Sequence, residues 1–165
     1  AINKIINKLA QEVIEDISSL EQLVIVGILK GRKQLADRIA LRIKKEEGLN
    51  IPVGYLDITV YRDDIFKGKI KPVGASHIPF DVNDKIVLLV DDVLFSGRTV
   101  RAALDGLNDF GRPELIKLGV MIDRGNRELP IEANYIGKQI PTTKKAQVTV
   151  QLTENTKHDQ VLITE

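Results

Sequence analysis

An α/β fold, with a mostly parallel central sheet flanked by helices, is predicted by three observations on the 165-residue chain. Short β-branched apolar runs alternate with segments of helical periodicity. That order requires crossover connections, and so a parallel sheet covered on both faces. One such run, "IVLLV" at 86–90, stops at Asp91 and Asp92 and is followed by a Ser-Gly-Arg-Thr turn. The last third of the chain changes to short extended pieces, which suggests a small added layer.

Ile2, Ile5, Ile6, Leu9, Val13, Ile14 and Ile17 recur three and four apart, one face of a helix. "LVIVGI" at 23–28 reads as a buried strand. Leu35, Ile39 and Ile43 place a helix over 33–46 that stops near Gly48. "VGYLDITV" at 53–60 and "IVLLV" at 86–90 read as strands. "TVRAALDGLNDF" is helical, with Gly111 and Pro113 as its stop, and "LIKLGVMI" at 115–122 is again a strand. After a polar turn, "DRGNRELP", short extended pieces near "NYIG", "QVTVQL" and "VLIT" read as a hood subdomain, or as edge strands over the sheet end. The segment from Tyr61 to Lys85 has neither periodicity and is long for a connection, so a binding loop is expected near 61–80. The chain is expected to be one domain, 1–165, with hood elements from 123–165.

Bulk properties narrow the function classes. Hydrophobic residues are 43% and charged residues 28%, an ordinary globular balance. The net charge of +1 advertises no global basic field for nucleic acid. There is no cysteine, which excludes disulfides and thiolate metal sites and fits a reducing cytoplasm. No apolar run approaches a membrane span, so no membrane partner is expected. The chain begins at Ala1, and the true N-terminus is expected upstream.

Two adjacent carboxylates are costly to bury without partners. The C-terminal edge of a parallel strand is where open α/β sheets bind ligands, and there the pair need not be buried. Asp91 and Asp92 suit vicinal hydroxyls or a divalent ion. The next residues, "FSGRT", supply backbone N–H groups, the Ser96 and Thr99 hydroxyls and Gly97 ahead of a helix, a setting that favours a phosphate. Arg98 adds charge there or lies in solvent. A ribose 5-phosphate fits both ends. The plainer alternative makes Asp91 a helix cap and Asp92 a solvated loop residue.

"VLLVDDVLFSGRT" resembles the phosphoribosyl pyrophosphate (PRPP) fingerprint of the type I phosphoribosyltransferases. "DITVYRDD", "VDDVLFSGRTVRAALD", "GRP", "DRGNRELPI" and "YIGKQIPT" follow in an order similar to that of the bifunctional pyrimidine operon regulators that are also uracil phosphoribosyltransferases. The resemblance covers nearly the whole chain. It implies transfer of ribose 5-phosphate from PRPP to uracil, giving UMP and pyrophosphate, with Mg²⁺. It also implies a homo-oligomer, dimer or tetramer, and a second activity on the leader RNA of pyrimidine genes.

By the same resemblance, residues 91–99 (Asp91, Asp92, Val93, Leu94, Phe95, Ser96, Gly97, Arg98 and Thr99) hold the nucleotide. Asp91 and Asp92 meet the metal mainly through ligand hydroxyls. Lys30, Gly31 and Arg32, at a strand end before a helix, correspond to the pyrophosphate loop, or form an ordinary turn with exposed cations. Arg62 opens the long loop and is assigned to the leaving group. Asp123, Arg124, Ile136 and Val148 are the expected base contacts. Close relatives usually carry Thr-Arg-Gly where this chain has "LKGR", which leans toward purine-salvage enzymes. Phe95 counters that hint. Purine-type enzymes commonly have an acidic residue there to take a proton, whereas a ring of carbon cannot. Uracil, whose nitrogen is itself fairly acidic, needs that help least. A hypoxanthine or guanine transferase and a non-catalytic UMP sensor remain the alternatives.

The RNA surface of relatives draws on the first helix and on the segment after the "DRG" turn. Here those positions read Asn7, Lys8, Gln11 and Asp16, then Asn126, Arg127, Glu132 and Lys138. Acidic residues in such a footprint repel phosphate, so weakened or lost RNA binding is expected.

Overall fold

The computed structural model describes residues 1–28, 33–59, 76–153 and 158–164. In chain order these form α1 (Ile2–Asp16), a single 3₁₀ turn, β1 (Leu23–Ile28), α2 (Lys33–Glu47), β2 (Val53–Leu56) and β3 (Ile86–Leu94). There follow α3 (Arg98–Leu107), β4 (Leu115–Asp123), β5 (Tyr135–Gln139), β6 (Gln147–Gln151) and β7 (Gln160–Thr164). Five strands make one sheet in the order β2-β1-β3-β4-β5, and every neighbouring pair is parallel. β3 is therefore central.

The sheet is buried on both faces, which explains its continuous apolar runs. Leu23 and Ile25 of β1 and Ile86, Leu88 and Val90 of β3 join the apolar stripes of α1 and α2 in one cluster. Val24, Val26, Val87 and Leu89 turn the other way and meet Val100, Ala103 and Leu107 of α3. The period-2 alternation sorts a uniformly apolar strand onto two layers.

Three elements besides β3 differ from the sequence expectation. The strand expected at 53–60 ends at Leu56. The Thr59 amide instead donates to Asp57 Oδ1 at 2.9 Å, a local turn that competes with the ladder. The chain regains the edge of β2 at His77, which exchanges backbone hydrogen bonds with Tyr55. The piece near "NYIG" is no part of a separate layer. It is β5, the last strand of the central sheet, with Val120 opposite Ile136. The helix expected at 99–110 covers Arg98–Leu107, and its last turn loosens ahead of Gly111, which takes φ +142°.

β6 and β7 form an antiparallel hairpin, the only separate sheet among the described residues. Arg38 of α2 anchors it through the Asp159 carboxylate at 2.5 Å and the Thr153 carbonyl. α1 is seated closely on β5. A Cβ at Gly137 would lie 2.3 Å from the Ile5 side chain and 2.6 Å from the Met121 carbonyl oxygen. The second contact is with backbone and cannot rotate away. Gly137→Ala is expected to lower stability by about 1–3 kcal/mol, read as a lower urea midpoint with unchanged slope.

Candidate functional site

The central strand carries the acidic pair within its C-terminal end, because β3 continues to Leu94 instead of stopping at Val90. Asp91 is 6% exposed and Asp92 7%. The sequence reading is that the pair need not be buried at a strand end; the structure buries both. Local hydrogen bonds make the burial tolerable. The Asp92 amide donates to Asp91 Oδ1 at 2.8 Å, and the Val93 amide to Asp92 Oδ1 at 2.7 Å. Each carboxylate is held by the next amide of its own strand, a charge-assisted contact stronger than a neutral one.

Beyond Leu94 the chain turns sharply into α3. Gly97 is the residue before the helix and takes φ +94°, which a side chain resists. A Cβ there would also be tight against Ile131 Cβ at 3.3 Å and in contact with Leu129 Cβ at 3.5 Å. The Arg98 amide bonds Ser96 Oγ at 3.2 Å, a local turn bond. The Arg98 side chain pairs with Glu128 at 2.8 Å, so it is neither a bare cation nor simply solvated.

A loop at 123–131 straps this turn. The Arg124 amide donates to Leu94 O at 3.1 Å, and the Glu128 and Leu129 amides donate to Ser96 O at 2.9 and 3.1 Å. Arg127 ties the loop together. Its guanidinium bonds Phe95 O at 3.1 Å, Ile131 O at 2.7 Å and Asp123 Oδ2 at 2.7 Å. Partial burial pushes the Asp123 carboxyl up. The Arg127 hydrogen bond, the Gly125 amide and the Arg127 charge outweigh it and hold the group below the usual carboxylate range. Sequence reasoning set Arg127 on an RNA surface and missed this structural part. The available signal was the four-residue spacing of Asp123 and Arg127 about two residues with positive φ, Gly125 and Asn126.

Arg124 is 5% exposed. Its guanidinium carbon lies 4.0 Å from the centre of the Phe95 ring, and Nη2 donates to Thr143 O at 2.9 Å. The structure thus gathers Asp91, Asp92, residues 93–99, Asp123 and Arg124 at one end of β3 and β4. Ile136 packs with the α3-side cluster, whereas Val148 packs with the α1–α2 cluster. Lys30, Gly31, Arg32 and Arg62 lie outside the described residues. Among the described residues no group of three or more His, Cys, Asp or Glu is placed to hold a metal ion. No helix among them is long and apolar enough to cross a membrane.

Residues 1–155 match the phosphoribosyl transferase domain family. The chain belongs to that family. Curated relatives named Bifunctional protein PyrR align over nearly its whole length. That of Pelotomaculum thermopropionicum is 50% identical, covering 99% of this chain and 91% of the relative. That of Bacillus pumilus is 49% identical, covering 100% and 93%. Among solved structures, a hypoxanthine phosphoribosyltransferase from Staphylococcus aureus superposes with a TM-score of 0.67 at 25% identity, covering 85% of this chain and 73% of that one. A hypoxanthine-guanine phosphoribosyltransferase from Bacillus anthracis shares the fold, with a TM-score of 0.65 at 21% identity over 85% and 77%. The five-stranded parallel sheet is thus the phosphoribosyltransferase sheet, and the acid pair and Gly97 turn sit at its C-terminal edge, where such sheets bind ligands.

The strap makes stability depend on acid. A carboxyl depressed in the folded state contributes stability that is complete above its unfolded value, about 3.9, and is lost as pH falls through the folded one. Asp123→Asn is expected to lower the melting temperature at neutral pH and to flatten its decline below about pH 4. Asp16, held low by the Tyr135 hydroxyl, keeps part of that decline in place. Thermal melts across that range check both effects.

Proposed function

We propose that this chain transfers ribose 5-phosphate from PRPP to uracil, giving UMP and pyrophosphate. One arrangement carries the reading: two buried carboxylates end the central strand, and the next turn opens α3 at Gly97. Asp91 and Asp92 accept hydrogen bonds from the two ribose hydroxyls. The backbone N–H groups of 95–99, the Ser96 and Thr99 hydroxyls and the N-terminal end of the α3 dipole take the 5-phosphate. Lys30, Gly31, Arg32 and Arg62 are assigned to the pyrophosphate. Asp123, Arg124, Ile136 and Val148 are assigned to the base.

As the C1–oxygen bond breaks, the ribose ring gains oxocarbenium character and the pyrophosphate gains charge. Positioning and electrostatics do most of the catalysis. Two adjacent carboxylates with no third protein ligand among the described residues fit a Mg²⁺ ion held mostly by ligand oxygens. When bound with PRPP, that ion supplies neutralisation of the pyrophosphate charge. The full-length likeness to the PyrR proteins supports uracil over a purine, since the likeness to the hypoxanthine enzyme stands at 25% identity.

A weakened RNA activity is the second part of the reading. Four of the side chains expected on that surface are engaged within the protein. Lys8 Nζ donates to the Ile136 and Gly137 carbonyls at 3.1 and 3.2 Å. Asn126 Nδ2 donates to Thr142 O at 2.9 Å, and Arg127 is bound up in the strap. Asp16 accepts the Tyr135 hydroxyl at 2.5 Å. Of the three cations expected there, Arg127 is bound up and Lys8 is partly engaged, and affinity for RNA rests on such cations. The family resemblance further supports a dimer or tetramer, which sedimentation measures.

Supplying PRPP and Mg²⁺ with uracil, hypoxanthine and guanine in turn tests the transferase. UMP from uracil is expected, whereas product from a purine alone, or UMP binding with no pyrophosphate release from any base, refutes it. Asp91→Asn with Asp92→Asn is expected to raise the KM for PRPP by about two orders of magnitude. In gel-shift titration the pyrimidine leader RNA is expected to bind weakly, and tight UMP-stimulated binding contradicts the loss.

A further inference from the structure

The strap captures three consecutive carbonyls of the turn that leads into α3. The Arg124 amide donates to Leu94 O, Arg127 Nη1 to Phe95 O, and the Glu128 and Leu129 amides to Ser96 O. A trans peptide unit is planar, with its C=O and the following N–H on opposite sides, and every peptide bond among the described residues is trans. A carbonyl drawn toward the strap therefore turns the next N–H away from it. Phe95 O sets the direction of the Ser96 N–H, and Ser96 O that of the Gly97 N–H. Neither of these two N–H groups donates to another described residue. Successive N–H groups left open on one face of a turn make a concave anion site, and these lie between the acid pair and the first residue of α3.

The two captures differ in kind. Ser96 O is held by two backbone amides, which almost any residues at 128 and 129 supply. Phe95 O is held by a side chain, the Arg127 guanidinium. That guanidinium is itself fixed, by Ile131 O and by Asp123 Oδ2, each at 2.7 Å. A planar fork reaches three acceptors at once, and a lysine ammonium on its flexible stem does not reproduce that geometry.

We propose, resting on the ribose 5-phosphate reading above, that Arg127 is a positioning residue of the phosphate subsite: by drawing the Phe95 carbonyl to the strap it aims the Ser96 N–H at the 5-phosphate. Arg127 does not touch the ligand. Its donors are spent on Asp123 and two carbonyls, and the ligand meets only the amide that they orient. A cation expected on an RNA surface thus serves nucleotide binding. The ligand class it favours is a sugar phosphomonoester, and a nucleoside with the same base and ribose gains nothing from it.

Binding of UMP and of uridine to the whole protein tests this, because the two differ only in the phosphate. The ratio of their dissociation constants measures what the phosphate contributes. In Arg127→Met, which keeps an apolar stem and removes every donor, that ratio is expected to fall about tenfold, through weaker UMP binding at unchanged uridine binding. With PRPP and Mg²⁺, the KM for PRPP is expected to rise by a similar factor while the KM for uracil holds. Arg127→Lys, which can still reach Phe95 O, recovers part of the ratio. A variant with a lower melting temperature and an unchanged ratio has lost a structural tie alone, and overturns the proposal. In the wild-type protein, UMP is expected to move the Ser96 and Gly97 amide proton resonances downfield, and uridine is not. Resonances that respond alike to both ligands overturn the proposal even if neither variant folds. Absence of UMP binding fails the ribose 5-phosphate reading, and this inference with it, whereas UMP held at Asp91 and Asp92 with an unchanged ratio in Arg127→Met fails this inference alone.

Discussion

Two like charges buried side by side at the end of the middle strand set the terms for this structure. Asp91 and Asp92 are each less than one-tenth exposed, in a layer where an uncompensated carboxylate costs free energy. The amides that follow them, of Asp92 and Val93, meet part of that cost. The rest of the neighbourhood supplies polar groups at the same height in the sheet, because parallel strands deliver all their C-terminal ends to one edge. A central strand is the stiffest place from which to hold such a pair, since β1 and β4 flank β3 on either side.

The strap at 123–131 follows from the same constraint. A tight turn after the acid pair needs its carbonyls satisfied away from the ligand side, and the Glu128, Leu129 and Arg127 donors do so at Ser96 and Phe95. The loop therefore spends its cations and amides on shaping the turn. That links two observations that look separate: the order of the Gly97 turn and the engagement of Arg127 on the surface expected to bind RNA. It also isolates Arg124, the one strap cation turned inward with no carboxylate.

Much of the fold was legible because hydrophobic periodicity reports burial directly. The ranges of α1, α2 and β1 came close to the observed ones, since each has a clean 3.6 or β-branched pattern with a defined stop. β2 was overrun because "DITV" alternates like a strand while Asp57 turns the chain, a competition that propensity does not reveal. β3 was cut short because Asp91 and Asp92 look like an ending, although backbone pairing with Val120 continues. β5 was left between a hood subdomain and an edge strand because its register with β4 depends on contacts far along the chain, and it is the edge strand of the central sheet. At the site, the acid pair and Gly97 were readable from residue types. Arg127 and the Phe95–Arg124 contact were not, because the partner groups are mostly carbonyls and a ring, which leave little mark in sequence.

The central claim is that the acid pair grips the sugar while the Gly97 turn holds its phosphate. A crystal structure with UMP bound tests it most directly. The account predicts both ribose hydroxyls within hydrogen-bond distance of Asp91 and Asp92, and the phosphate against the amides of 95–99. A nucleotide bound elsewhere, with these carboxylates and this turn untouched, contradicts it.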